Sequence, residues 1–370
     1  RLTNPTVAAL EERIASLEDG RGATATASGH AAQLVTFFAL MAPGDSFLAW
    51  RLSGGASFIT DVSNASRTLL FDLERLDWHP ELCRLLMVPQ AALPQVVSSS
   101  GRLATVHGVP GIADGTPIAG IAGDQQAALF GQDCLAPGDA KCTFGTGSFL
   151  LMNVGDRPVP SQHRLLATVA WRTGGGTQYA LEGSAFVCGA LVQWLRDGLH
   201  LIGTAAEIEP LAASVPDTGG VVIIPALAGL GAPHWRPEAR GLICGISRGT
   251  SAAHIARAAL EAMALQNVDL VRAMEQDAGR PLVSLRVDGG AARNDLLMQM
   301  QADLLGVPLL RPAMAEATAL GAARLAARGL GLESGRRKPP NSGMTVFEPR
   351  MTAAERDRSM ARWRDALARS

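Results

Sequence analysis

Apolar residues fall into two rhythms along this chain. Val7, Leu10, Ile14 and Leu17 share one face at helical spacing, so a helix is predicted over Val7–Glu18, opened by Pro5 and Thr6 and closed by Gly20. A small-residue segment, Ala23–Gly29, precedes a second predicted helix over Ala31–Met41, which Pro43-Gly44-Asp45 ends. Ser46–Leu52 and the Gly54-Gly55 turn begin a new element. Beyond it, short apolar runs alternate with longer amphipathic ones. Pro117–Ala122 reads as a strand leading into a turn at Asp124, and Gln125–Gly131 as the start of a helix. Cys142–Leu151, Leu165–Trp171 and Gln178–Leu181 read as a β-meander, turned by Gly174-Gly175-Gly176. Helices are predicted over Ala185–His200, Ala252–Glu275 (with Ser251 as N-cap), Asn294–Leu305 and Ala317–Arg328. Strands are predicted over Val221–Pro225, Leu282–Asp288 and Val307–Leu310. Gly329–Gly343 reads as an exposed linker, and Thr352-Ala-Ala-Glu355 as a capping box that opens a charged final helix.

This alternation is that of an α/β protein with a mixed sheet in its main domain. The length of 370 residues suffices for two or three domains, and no repeat of solenoid period is present. A net charge of -1 gives no electrostatic reason to expect nucleic acid or an anionic membrane as partner. The longest apolar runs, Leu34–Met41 and Val221–Ala228, are too short for a membrane span, and no signal peptide is visible in a sequence that starts at Arg1. The five cysteines are scattered, with no CxxC pair and no histidine at zinc-ligand spacing, and read as reduced, mostly buried thiols of a cytoplasmic protein. Arginine carries the basic side; Lys141 and Lys338 are the only lysines.

The chemistry concentrates in glycine-rich turns between apolar segments. In Ile121-Ala-Gly-Asp-Gln-Gln-Ala-Ala-Leu-Phe-Gly131, Asp124 stands where a strand meets a helix. Such a carboxylate suits accepting a proton from a substrate hydroxyl, and equally suits capping the helix; the local residues leave both open. Thr143-Phe-Gly-Thr-Gly-Ser148 lets the backbone approach an anion, with the Thr146 hydroxyl as donor, or is a plain hairpin turn. Arg286-Val-Asp-Gly-Gly-Ala-Ala-Arg-Asn294 permits close approach of a nucleotide at Gly290, or is a simple strand-to-helix connection. No GxxxxGK[ST] occurs, so ATP chemistry here is not of the P-loop kind. Gly245-Ile-Ser-Arg-Gly249 matches the hydrolase GxSxG elbow, but its helix starts only near Ser251 and the one later histidine, His254, lies on that helix, which favours a turn. No HExxH is present, and His234 is structural by default.

Taken in order, these stretches resemble one family. TDVSNASRTLLFDL (60–73), GIAGDQQAALFG (120–131), TFGTGSF (143–149), residues 181–196, GLGAPHW (229–235), GISRGTSAAHIARAALEAMALQ (245–266), residues 286–294 and residues 316–323 are similar to glycerol kinases. These belong to the FGGY carbohydrate kinases, of the actin/hexokinase-like (ribonuclease H-like) ATPase fold. The resemblance runs from about Ser46 to the C-terminus. It implies one nearly complete domain plus the C-terminal remnant of another: 46–130 from the first kinase domain, 131–330 as the second, nucleotide-binding domain, and 331–370 as linker and final helix. It implies Asp124 as the general base toward a glycerol hydroxyl, with Gln125 binding glycerol hydroxyls and Phe149 lining the apolar side of the pocket. Thr146 would contact the nucleotide phosphates, Gly189 and Gln193 the nucleotide side, and Gly290 and Asn294 the adenosine end. The implied reaction is in-line transfer of the ATP γ-phosphoryl group to glycerol, assisted by Mg²⁺, which Asp124 could reach through water. Glycerol and ATP are the implied partners, with self-association left open.

Residues 1–45 resemble something else. Arg1-Leu-Thr-Asn-Pro-Thr-Val-Ala-Ala-Leu-Glu-Glu-Arg13, Ser28-Gly-His-Ala-Ala32 and Ala42-Pro-Gly-Asp45 are similar to the early part of an O-acetylhomoserine sulfhydrylase, a pyridoxal-phosphate enzyme. In that family Arg1 and Gly29-His30 would lie near the cofactor phosphate. The Schiff-base lysine such chemistry needs has only Lys141 and Lys338 as candidates, both outside that segment. The expectation is therefore two enzyme fragments joined near Asp45. The Asp-x-Gly-Thr-Thr phosphate loop and the Arg-Glu glycerol contacts with which glycerol kinases open are not in this sequence. Loss of turnover, with nucleotide binding at most, stands beside the kinase reading, as does a related kinase of another polyol. Gly115 occupies the position where some relatives carry an arginine for fructose-1,6-bisphosphate, so that regulation is not expected.

Overall fold

The structure, a computed structural model, describes residues 48–313, 316–332 and 343–370. The helices predicted over Val7–Glu18 and Ala31–Met41 lie outside the described residues, as does most of Gly329–Gly343. The backbone of the molecule is a seven-stranded mixed sheet. Its strands are β1 (Ala140–Phe144), β2 (Ser148–Gly155), β3 (Leu166–Thr173), β4 (Gly176–Ala185), β5 (Leu285–Asp288), β6 (Leu309–Pro312) and β7 (Met344–Phe347). The order across the sheet is β7-β6-β5-β1-β2-β4-β3. The first meander is antiparallel, β5 runs parallel to both β1 and β6, and β7 closes the edge antiparallel to β6.

Alternation along these strands divides the molecule into layers. Cys142, Phe144, Leu150, Met152, Leu181, Leu285 and Val287 all belong to the large core on one face. That core also takes in the long helix Ala252–Ala278, the helix Asp295–Leu305, and Trp363 of the final helix Ala353–Leu367. The opposite face buries Leu151 and Ala180 against Leu129 and Phe130 of helix α1 (Asp124–Gly131) and Leu325 of the later helix Ala317–Gly329. Helices on both faces of a mixed sheet give an α/β three-layer arrangement.

Capping follows the sequence where side chains set it. Ser251 and His254 form a reciprocal cap on Ala252–Ala278, which ends at Gly279 in the left-handed region (φ 63). Thr352 and Glu355 cap the final helix as predicted, and Trp363 Nε1 donates to Asp269 Oδ2 at 2.7 Å, seating that helix on the long one. Other boundaries differ. Cys142–Leu151, predicted as one strand, is two strands around the Gly145-Thr146-Gly147 turn, because the glycines break the ladder there. The helix predicted from Ala185 starts only at Gly189; Ala185 ends β4, paired with Ser148, since an apolar Ala-Phe-Val-Cys run reads as either type. Met344–Phe347 is an edge strand that the pattern does not predict. Cys83, Cys134, Cys142 and Cys188 are buried free thiols, and burial pushes Cys134 and Cys188 up to about 12, so they are inert.

Candidate functional site

Asp124 is the first residue of α1, with Gly123 as its N-cap in extended geometry (φ -61, ψ 151). The helix therefore does not consume the carboxylate as an N-cap. Among the described residues Asp124 Oδ1 accepts only the adjacent Gln125 N–H, at 2.8 Å, and the residue is exposed. A negative charge at the start of a helix is favoured by the helix dipole. The turn before it is fixed from behind. Gly123 N–H donates to Ser63 Oγ at 2.9 Å, and Ser63 Oγ donates to Asp61 Oδ2 at 2.7 Å. Asp61 also accepts Ser99 Oγ at 2.6 Å and caps the short helix Val62–Ala65. Burial raises the Asp61 pKa, opposed by the hydrogen bonds it accepts. The TDVSNAS stretch is thus the scaffold of the Asp124 turn.

Gln125, beside Asp124, reaches the sheet. Its Oε1 accepts a hydrogen bond from Lys141 Nζ, which also donates to Thr143 Oγ1 at 2.8 Å. Strand register puts Arg286, Lys141, Leu151 and Glu182 in one row, and Asp288, Thr143, Phe149 and Ser184 in the next row on the same face. Phe149 therefore lies on the face that carries Gln125, and it is 38% exposed, unusual for a phenylalanine in mid-sheet. Lys141 is fully buried; the sequence alone marks it only as a Schiff-base candidate. A single lysine inside an apolar strand of a lysine-poor chain was the available signal.

The nucleotide candidates converge on one edge of the sheet. β1 and β5 are parallel, so the Thr146 turn after β1 and the Gly289-Gly290 turn after β5 leave at the same end. β4 ends beside Ser148, which brings the helix Gly189–Asp197 to the same edge. Contact is direct: Gly189 N–H donates to Gly145 O at 2.9 Å, and Cys188 and Ala190 N–H both donate to Thr146 O. A Cβ at Gly189 would stand 2.7 Å from Gly145 O, so the helix start and the turn fit only with glycine there. Gln193, one turn along that helix, is exposed. At the other turn Gly289 (φ 92) packs on Phe144, while a Cβ at Gly290 would enter open space. Asn294 caps Asp295–Leu305 through Oδ1, which accepts Leu297 N–H at 2.7 Å, leaving its amide NH₂ as donor. Loops at the carboxyl ends of parallel strands are the usual ligand edge of α/β sheets.

Two more polar links cross to the helices on this face. Gln132 Nε2 donates to Asp288 Oδ2 at 2.7 Å, while Asp288 Oδ1 and Gln132 Oε1 are buried without a partner. Arg67 grips Glu182 through both nitrogens, Nη2 to Oε1 at 2.8 Å and Nη1 to Oε2 at 2.7 Å. Glu182 is almost wholly buried, so Arg67→Met is expected to cost about 3–5 kcal/mol by stranding a carboxylate. Urea unfolding reads this, and Arg67→Met with Glu182→Met should recover much of the loss.

The remaining candidates are structural. Ser247 accepts Gly249 N–H in a turn, and His254 Nδ1 is engaged by Ser251, so no hydrolase elbow forms. His234 Nε2 lies 3.2 Å from Asp269 Oδ2, in the cluster that seats the final helix. No helix among the described residues is long and apolar enough to cross a membrane.

Comparison with known proteins places this geometry in a family. The profile of the FGGY family of carbohydrate kinases, N-terminal domain, matches residues 30–131, and that of the C-terminal domain matches residues 140–330. A glycerol kinase of Alkalilimnicola ehrlichii is 58% identical over 326 residues, covering 88% of this chain and 66% of its own length. One of Aromatoleum aromaticum is 60% identical over 329 residues, with the same coverage of 88% and 66%. The chain thus spans just under two thirds of the length of these curated relatives. The crystal structure of Plasmodium falciparum glycerol kinase with ADP superposes with a TM-score of 0.80 at 35% identity, covering 87% of this chain and 65% of that one. A ligand-bound xylulose kinase of Lactobacillus acidophilus, 22% identical with a TM-score of 0.74, shares the fold. The fold is accordingly the actin/hexokinase-like ATPase fold. The chain belongs to the FGGY family of carbohydrate kinases.

Proposed function

We propose that this chain acts in ATP-dependent phosphorylation of glycerol to glycerol 3-phosphate, in the cytoplasm. The observation that carries the reading is the exposed Asp124 carboxylate at the start of α1, with Gln125 beside it. Asp124 accepts the proton of the attacking hydroxyl, and Gln125 holds the polyol. Phe149, on the same sheet face, supplies an apolar wall for the carbon side of glycerol. The edge loops hold the nucleotide: Thr146 and Gly189 at the phosphates with Gln193 beyond them, and Gly290 and Asn294 at the adenosine end. Support comes from their convergence on one sheet edge and from a relative solved with ADP.

Mg²⁺ fits a site of this kind. Among the described residues no cluster of three acidic, His or Cys side chains could hold a metal alone. Mg²⁺ is commonly held by one or two carboxylates, waters and substrate phosphates, and Asp124 offers one exposed carboxylate. When bound, the ion supplies neutralisation of charge on the phosphates.

For residues 1–45 the reading remains a fragment resembling an O-acetylhomoserine sulfhydrylase. Arg1–Arg13, Gly29-His30 and Ala42–Asp45 support it, whereas the kinase profile that starts at residue 30 favours kinase ancestry for the overlap.

Calorimetric titration with Mg·ADP tests the nucleotide half. Micromolar to millimolar binding is expected, lost in Gly189→Val because the side chain collides with the Gly145 carbonyl. Equal Mg·ADP binding by wild type and Gly189→Val would contradict the assignment of this edge.

A further inference from the structure

Lys141 is the group on this face to which the proposed chemistry gives no task. It is the second residue of β1, fully buried, in a chain with only two lysines. Burial lowers its pKa, opposed by the nearby carboxylates of Asp288, Glu182 and Asp124 and by Cys142. Its two hydrogen bonds go to Thr143 Oγ1 and Gln125 Oε1. A fold does not need a lysine there; leucine or methionine would fill the strand without desolvating an amine.

We propose that Lys141 is a positioning residue for the polyol subsite, acting through Gln125. Donor and acceptor roles fix the orientation of the contact. A lysine ammonium has three donors and no acceptor, so the Gln125 end that faces it must be the carbonyl oxygen. That settles an orientation which an isolated amide would leave free to flip. The NH₂ then occupies the other side of the amide and meets a ligand only as a donor. Asp124, one residue earlier, meets it only as an acceptor while ionised. Adjacent residues at the head of one helix thus offer opposite roles: Gln125 gives a hydrogen bond to one hydroxyl oxygen, and Asp124 takes one from a neighbouring hydroxyl. That pattern matches a vicinal diol, which presents both roles on adjacent carbons. Lys141 sets the pattern without touching the ligand, and it ties the head of α1 to the strand that leads into the Thr146 turn.

This inference rests on the glycerol reading above, and the test separates the two. Glycerol titrations in the presence of saturating Mg·ADP are compared for wild type, Lys141→Met, Gln125→Met and the double variant. The expected result for Lys141→Met is a loss of glycerol affinity of about tenfold or more, with Mg·ADP affinity unchanged. The double variant should bind glycerol no worse than Gln125→Met, since Lys141 acts through Gln125. Should Lys141→Met fail to fold, Gln125→Glu decides: it keeps an acceptor for Lys141 but removes the donor. Its glycerol affinity is expected to fall by a similar factor while its melting temperature holds. Glycerol affinity that is unchanged in Gln125→Glu, losses that add in the double variant, or equal losses for glycerol and Mg·ADP in Lys141→Met would each overturn the role of Lys141. A wild type that binds Mg·ADP but not glycerol would sink the glycerol reading itself, and this inference with it.

Discussion

Asp124→Asn is expected to lower glycerol-dependent turnover by about 10²–10⁴-fold, the range removed with a general base. The asparagine is isosteric and still accepts through one oxygen, so α1 and the Gly123 turn should be undisturbed. Among the described residues the carboxylate accepts one hydrogen bond, from the Gln125 amide, and an amide oxygen can replace it there. Affinity for ADP without Mg²⁺ should change little, because the nucleotide loops follow different strands. Loss of nucleotide binding in step with turnover would show that Asp124 shapes the site instead of accepting the proton. Steady-state kinetics together with titration of metal-free ADP distinguish the two outcomes.

Gly321→Ala is expected to be the most damaging glycine-to-alanine change among the described residues. A Cβ at Gly321 would lie 1.7 Å from the Ala127 carbonyl oxygen, and one at Gly131 would lie 2.1 Å from the Ala317 carbonyl oxygen. Helix α1 and the helix Ala317–Gly329 therefore cross backbone to backbone, each supplying a glycine to the other. Backbone cannot rotate aside as a side chain can. The cost should reach the upper end of the overpacking range, about 3 kcal/mol. A fall in the urea midpoint at unchanged m-value reads it. Because this crossing carries α1, and Thr318 Oγ1 reaches the Asp124 carbonyl at 3.5 Å, glycerol binding should weaken as well. An alanine variant as stable as wild type would mean that the two helices pack less closely than described.

Much of this was legible in the sequence, for particular reasons. Most strands of the main sheet carry alternation or continuous apolar runs, and the caps at Ser251, Asn294 and Thr352 are side-chain chemistry that local sequence records. The glycine turns at 145–147 and 289–290 stood out as close-approach points, but sequence could not tell anion loop from hairpin. That distinction depends on which turns share a sheet edge, and so on strand order, which only pairing reveals. Asp124 was likewise undecided between cap and base. Gly123 takes the cap position, a choice of one residue that periodicity does not resolve. The contact of Lys141 with Gln125 joins residues 16 apart, on a strand and a helix, so no local pattern announces it. The glycines at 131 and 321 passed as ordinary helix residues for the same reason, since helix crossings are non-local. The edge strand Met344–Phe347 lacks enough alternating length to declare itself.

Asp124 and the glycine loops are proposed to serve one phosphoryl transfer to glycerol. ³¹P NMR of the purified chain incubated with Mg·ATP and glycerol tests it most directly. A glycerol 3-phosphate resonance should grow in step with ADP, be absent without glycerol, and grow about 10²–10⁴-fold more slowly in Asp124→Asn. ADP and inorganic phosphate appearing at the same rate with or without glycerol, or equal product from Asp124→Asn, would contradict it.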